Sequence, residues 1–187
     1  GSTPIARVPW NEPGVVGKVL DAGAEAVIVP MVNTAEQAVA AVRAARYPPL
    51  GARSFGPTVS GARSSNYAAT ANDVVAVIPM IETSEALSHL DDILSVPCVD
   101  AIYVGPADLS LSLGLPPGNN DDDDSFREAL TAIVAGCRGH GVVAGIHATG
   151  ALTARRLEQG FTMVTVTSDT VALRLGLTAE MALARRD

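Results

Sequence analysis

Val77-Ile78-Pro79-Met80-Ile81-Glu82 and Ala101-Ile102-Tyr103-Val104-Gly105-Pro106-Ala107-Asp108 are the two stretches on which the fold turns. Each is an unbroken apolar run that ends at or just before an acidic residue. Unbroken runs, as opposed to alternating ones, mark strands covered on both faces. The same pattern recurs at Ile5–Val8, Ala26–Pro30, Val142–Ile146 and Thr162–Val166, and the Glu82 strand reads as Val74–Ile81. Between the runs lie amphipathic stretches that predict helices at Pro13–Ala22, Ala35–Ala45, Ser84–Leu94, Asp124–Arg138, Ala151–Gln159 and Thr170–Arg185. Pro13 suits a first helical position, and Gly23 and Gly160 suit helix ends. Asn33-Thr34-Ala35-Glu36 offers capping side chains.

Strand and helix alternating in this way predict a parallel sheet with helices outside it. An open doubly wound sheet and a (β/α)8 barrel both fit. The repeat of about 30 residues is that of a βα unit, and eight such units need about 250 residues. The chain has 187, so a barrel would lack about two units. Two long connections stand out. Residues 46–73 carry a Gly/Ser/Arg-rich stretch, and residues 105–123 run into the aspartates Asp121–Asp124. Long connections of this kind tend to carry function.

Composition narrows the possible functions. Hydrophobic residues make up 48% of the chain, enough for one well-filled domain. The net charge is −7 and Lys18 is the only lysine, so no basic face for nucleic acid is expected. No apolar run approaches a membrane span, and no signal peptide is visible. Cys98 and Cys137 are too few for a disulfide framework or a thiolate zinc site. The expected setting is the cytoplasm. Walker, dinucleotide-binding, nucleophile-elbow and zincin motifs are all absent.

The chemistry-bearing residues lie at the ends of the strands. Glu82 closes one apolar run, at the edge where parallel α/β folds build active sites; its plainer reading is a cap for the next helix. Asp108 follows another strand, and its plainer reading is likewise a helix cap. Together, two carboxylates at successive strand ends suit a hard cation such as Mg²⁺ or Mn²⁺. Arg7 sits in an apolar strand and needs an anion: a substrate oxygen, or Glu82 or Asp100 as a structural partner. His147 ends the Val143–Ile146 run and is placed either to bind substrate or move a proton, or to stand behind the site. Arg53, in Gly51-Ala52-Arg53-Ser54-Phe55-Gly56, is a loop candidate for an anionic substrate tail, with a surface arginine as the alternative. The Asp121–Asp124 run reads as a solvated loop and an acidic helix start.

Taken in order, Arg7-Val8-Pro9-Trp10-Asn11, Val29-Pro30-Met31-Val32, Arg46–Arg53, Ile81-Glu82-Thr83 and Gly105-Pro106-Ala107-Asp108-Leu109-Ser110 resemble the HpcH/HpaI aldolase/citrate lyase family. The resemblance runs from about Ile5 to the C-terminus and is strongest to the 4-hydroxy-2-oxoheptanedioate and 2-dehydro-3-deoxyglucarate aldolase branch. It implies a (β/α)8 TIM barrel of the pyruvate/phosphoenolpyruvate-enzyme type, here without its first two βα units. It also implies a class II aldolase using Mg²⁺, Mn²⁺ or Co²⁺, which cleaves a 4-hydroxy-2-oxo acid to pyruvate and an aldehyde through an enolate. By resemblance Glu82 and Asp108 hold the metal and Arg7 contacts the pyruvate oxygens. The backbone at Ala107 and Asp108 receives the pyruvate carboxylate, and a homo-oligomer, trimer or hexamer, is expected. No Schiff-base lysine is needed. Two departures follow from the comparison: the family's Asp-x-Glu-His segment, with its acid/base histidine, has no counterpart, and Met80 stands where better-known aldolases carry glutamine. A thioether cannot replace an amide donor. Other readings are a CoA-ester lyase of the citrate lyase β-subunit type, which the single lysine disfavours, and a non-catalytic fragment that binds metal and 2-oxo acid.

Overall fold

The computed structural model describes residues 2–185. Six strands, β1 (Ile5–Arg7), β2 (Ala26–Val29), β3 (Ala76–Ile81), β4 (Ala101–Val104), β5 (Val143–Ile146) and β6 (Met163–Val164), form one sheet in sequential order. Every neighbouring pair is parallel. Parallel neighbours require a crossover between them. These are supplied by α1 (Pro13–Asp21), α2 (Ala35–Ala45), α3 (Thr58–Arg63), α4 (Tyr67–Val74), α5 (Ser84–Ser88), α6 (Leu90–Leu94), α7 (Pro106–Ser112), α8 (Asp124–His140) and α9 (Gly150–Glu158). The last helix, α10, spans Asp169–Ala184.

The apolar runs fill two surfaces, as a period of two demands. Val27, Val29, Val77, Ile81, Ile102, Val104, Ala144 and Ile146 face outward and join the main core with helix residues such as Leu20, Val42, Phe126 and Ile133. Ala26, Ile28, Ile78, Met80 and Ala101 face the other way and form a second cluster, with Tyr103 and Met163 against it. Residues from β1 to β4, together with His147 just past β5, line one cleft, so the sheet curls around that face. Among the described residues no helix is long and apolar enough to cross a membrane.

Several expected boundaries shift for local reasons. Residues 58–74 are not a loop running into a strand: α3 and α4 occupy them, and Val74 ends α4. Neither helix has a side-chain cap. What holds them is tertiary, including the buried Ser60 hydroxyl donating to Leu20 O at 2.6 Å. The expected Ser84–Leu94 helix breaks at His89, whose backbone leaves the helical region and whose Nδ1 lies 3.0 Å from Asn33 O. Residues 105–123 contain α7. The aspartate run divides its work: Asp123 caps α8, while Asp121 is buried.

Three buried arginines pin the outer layer. Arg156 has no exposed surface. It grips Asp121 through both guanidinium ends, at 2.7 and 3.0 Å, and also donates to Asn119 and Gln159. Arg46 pairs with Asp100 at 2.9 Å, and the same Asp100 oxygen accepts the Val77 N–H at the start of β3. Arg53 pairs with Asp21. Removing one member of a buried pair strands the other charge. Arg156→Ala is therefore expected to destabilise the fold by about 3 kcal/mol in urea unfolding; a loss well under 1 kcal/mol would show that Asp121 finds water or Arg155 instead.

Candidate active site

The cleft on the inner face, about 370 Å³, is lined by Arg7, Ile28, Met80, Tyr103, Gly105, Pro106, Ala107, Asp108 and His147. It opens at the C-terminal ends of the strands. Glu82 lies behind its Gly105, one residue beyond β3 and 1% exposed. Its Oε1 accepts the Met31 N–H at 2.8 Å. That N–H reaches it because Met31 holds a left-handed backbone (φ 55°), unusual for a residue with a side chain. The Glu82 Oε2 is buried and has no hydrogen-bond partner among the described residues. Burial pushes the Glu82 carboxyl above its ordinary range; the Met31 N–H and Arg7 pull the other way, and Asp108 adds to the rise.

The Met31 turn is itself fastened. Thr83 Oγ1 donates to Asn33 Oδ1 at 2.7 Å and also accepts the Ala86 N–H, capping α5. Thr83, not Glu82, is thus the helix cap, which leaves the glutamate free for other work. Asp108 lies in the first turn of α7, after Gly105 as N-cap and Pro106 as first helical residue. It is exposed to the cleft, as is Ala107. Gly105 permits the close approach: a Cβ there would collide with Glu82 Oε2 and stand 3.0 Å from Met80 Cε. The loop after α7 is held by Asn120 and Gly118, both bonded to the Ser110 hydroxyl.

Arg7 is exposed and lines the cleft. Among the described residues it forms no ion pair, and Asp100 is engaged by Arg46. The structural-pair alternatives are therefore not used. Met80, 6% exposed, forms part of the floor. His147 stands on the β5 side, with the Tyr103 hydroxyl 3.4 Å from its Nδ1.

Arg53 is not brought to this cleft. It is buried, donates to Asp21 at 2.7 Å and to the Tyr67 hydroxyl at 3.1 Å, and lies 4.6 Å over the Tyr47 ring. The expectation of a substrate-tail contact is corrected on this ground, since Asp21 already neutralises its charge. Sequence reading gave no individual role to Met31, Gly105 or Tyr103. Of these, Tyr103 was recoverable from strand parity, because it pairs in register with Met80 and so shares its face.

The donor set fits a hard divalent cation. Glu82 Oε2 is an orphaned buried carboxylate oxygen, a second carboxylate adjoins it, and both are oxygen ligands. No group of three or more His, Cys, Asp or Glu side chains converges among the described residues. Mg²⁺ is commonly held by one or two carboxylates with water and substrate oxygens, which is the arrangement available here. Gly105→Ala is expected to lower Mn²⁺ affinity by roughly 10- to 100-fold, the range for a displaced ligand support, in calorimetric titration. Unchanged affinity would show that Glu82 does not need this position.

The parallel sheet thus gathers two carboxylates and an arginine at its C-terminal edge, oxygen donors suited to a hard cation and a cationic donor suited to an anion. Residues 1–174 match the family HpcH/HpaI aldolase/citrate lyase. A 4-hydroxy-2-oxo-heptane-1,7-dioate aldolase of Klebsiella pneumoniae is 40% identical over 183 residues, spanning 95% of this chain and 68% of that one. The crystal structure of an HpcH/HpaI aldolase/citrate lyase family protein from Burkholderia cenocepacia superposes with a TM-score of 0.88 at 32% identity, covering 99% of this chain and 74% of that one. An HpcH/HpaI aldolase from Desulfitobacterium hafniense gives 0.86 at 28% identity, over 98% and 72%. The chain belongs to the HpcH/HpaI aldolase/citrate lyase family.

Proposed function

We propose that the protein is a class II aldolase that cleaves a 4-hydroxy-2-oxo acid to pyruvate and an aldehyde. The observation that carries this reading is the half-partnered, buried Glu82 carboxylate near Asp108, beside a cleft that also presents Arg7, which forms no ion pair among the described residues. Glu82 and Asp108 would hold Mg²⁺, Mn²⁺ or Co²⁺. Such a cation, when bound, draws electrons from the 2-oxo carbonyl and makes the C3 position acidic.

The remaining roles fall to the chain's own groups. In the cleavage direction the C3–C4 bond breaks and its electron pair passes into the C2–C3 enolate. The C4 hydroxyl gives its proton to solvent water as the aldehyde forms, and C3 then takes one up from water to give pyruvate. Arg7 faces the growing charge on the C2 oxygen, where a fixed donor lowers the barrier more than it favours the ground state. The Ala107 and Asp108 N–H groups lie in the first turn of α7, without intrahelical acceptors, and would receive the pyruvate carboxylate. Met80 and Ile28 supply an apolar floor that limits water. Support for pyruvate chemistry comes from the Klebsiella relative, which is named for cleaving a 4-hydroxy-2-oxo acid.

The enolate step needs no aldehyde, so it can be tested alone. With Mn²⁺ or Mg²⁺ in D₂O, the protein should exchange the pyruvate methyl protons, and chelator should stop it. Arg7→Ala should slow exchange by roughly 10²-fold. Absence of exchange with either metal would contradict the reading.

We also propose that the six strands are six of the eight of a TIM barrel, and that the chain assembles into a trimer or hexamer. A cytoplasmic location accords with its two free thiols. The assembly reading rests on α10. None of its residues is buried, and Leu173, Leu175, Leu177, Met181 and Leu183 are each more than half exposed. A helix apolar on several sides calls for a partner surface. Light scattering should give an oligomeric mass at micromolar concentration; a strictly monomeric mass would rule this out.

A further inference from the structure

The polar wall of the cleft opposite Arg7 has no part in the pyruvate chemistry above. Tyr103 points inward from β4, and its ring leans across β5. Gly145 makes room for it, since a Cβ there would stand 3.0 Å from Tyr103 Cδ2 and 2.8 Å from Ile102 O. The Tyr103 hydroxyl bonds Thr165 Oγ1 beyond β6 and lies 3.4 Å from His147 Nδ1. Burial raises the Tyr103 phenol above its ordinary value, so it keeps its proton at neutral pH. Donation can run either way along this set. With Thr165 giving its proton to Tyr103 Oη and Tyr103 giving its own to His147 Nδ1, the imidazole proton sits on Nε2. That nitrogen has no partner among the described residues, and the ring is exposed to the cleft.

The site's geometry says what meets it. Arg7, Glu82, Asp108 and the 107–108 backbone account for the oxygens of the pyruvate half. Whatever is attached at C4 must leave that end of the cleft, and its other polar wall is Tyr103 and His147. His147 also borders a second hollow of about 580 Å³, lined by Thr149, Val166, Thr167, Ser168 and Leu175 among others. Space for a longer chain therefore begins at the imidazole.

On the basis of the aldolase reading, we propose that His147, oriented by Tyr103 and Thr165, is a specificity-determining residue: its Nε2–H binds an oxygen substituent on the aldehyde half, so that hydroxy- or carboxy-aldehydes are favoured over alkyl aldehydes of equal length. A site built to donate a hydrogen bond discriminates against the analogue that lacks the acceptor. Because the ring is exposed, the effect has the size of one net hydrogen bond.

The test is aldol addition of pyruvate to matched aldehydes with Mn²⁺ present. Glyceraldehyde is compared with propanal, and succinic semialdehyde with butanal, each as a ratio of kcat/KM. A ratio cancels any loss shared by both substrates, including loss of folded protein. In His147→Leu one or both ratios should fall by roughly five- to tenfold. A fall for glyceraldehyde assigns a hydroxyl acceptor, and a fall for the semialdehyde assigns a carboxylate. Tyr103→Phe, nearly isosteric, should give a smaller fall in the same ratio, and His147→Gln, which keeps an N–H donor, should restore most of it. Both ratios unchanged in His147→Leu and Tyr103→Phe, in a protein whose wild type exchanges pyruvate protons, would overturn the inference while leaving the aldolase reading intact. Failure of the wild type to exchange would overturn both.

Discussion

The hydrogen bond from the Met31 N–H to Glu82 Oε1 sets the character of the site. A carboxylate this deeply buried is costly unless its oxygens are engaged. One oxygen is engaged by the protein and the other is left over. A symmetric salt bridge would have spent both. The arrangement instead fixes the side chain and keeps one ligand atom for something brought from outside. Its cost is carried by strain at Met31 and by the pinning of the Met31–Asn33 turn through Thr83 and His89.

Gly105 completes the same constraint from the other side. The β4–α7 turn passes so close to Glu82 that no side chain fits there. That closeness brings Asp108 near enough to raise the Glu82 carboxyl further. Like charges held together without a counter-ion oppose folding, and a cation between them removes the opposition. Arg7, on the far strand, acts on Glu82 through space without pairing with it. The buried ion pairs of Arg46, Arg53 and Arg156 belong to another layer. They secure helix ends and the 119–121 loop, so the cleft rests on a rigid frame.

Much of this was legible in the sequence because burial on two faces leaves a plain signature. The runs at Ala26–Pro30 and Ala101–Val104 were found with nearly their true ends. Glu82 and His147 stood out because a polar residue closing such a run sits at the sheet edge, Asp108 because it follows one, and Arg7 because it is a charge within one. What escaped was decided by contacts distant in sequence. Arg53 lies in a Gly/Ser-rich stretch that reads as mobile, yet Asp21, Tyr47 and Tyr67 enclose it. Residues 58–63 carry weak helix formers and no cap, and tertiary bonds make them helical. Asp121 looked like one of four solvated aspartates until Arg156, on a later helix, claimed it. Met31 escaped because a left-handed residue without glycine has no sequence mark.

Glu82 and Asp108 are proposed as the protein's ligands for one divalent cation. Mn²⁺ titration followed by electron paramagnetic resonance, on wild type and Glu82→Gln, tests it most directly. Wild type should bind a single Mn²⁺, and the variant should lose affinity by at least about tenfold, since an amide replaces the anionic oxygen at a hard-cation site. Equal affinity in the two proteins would contradict it.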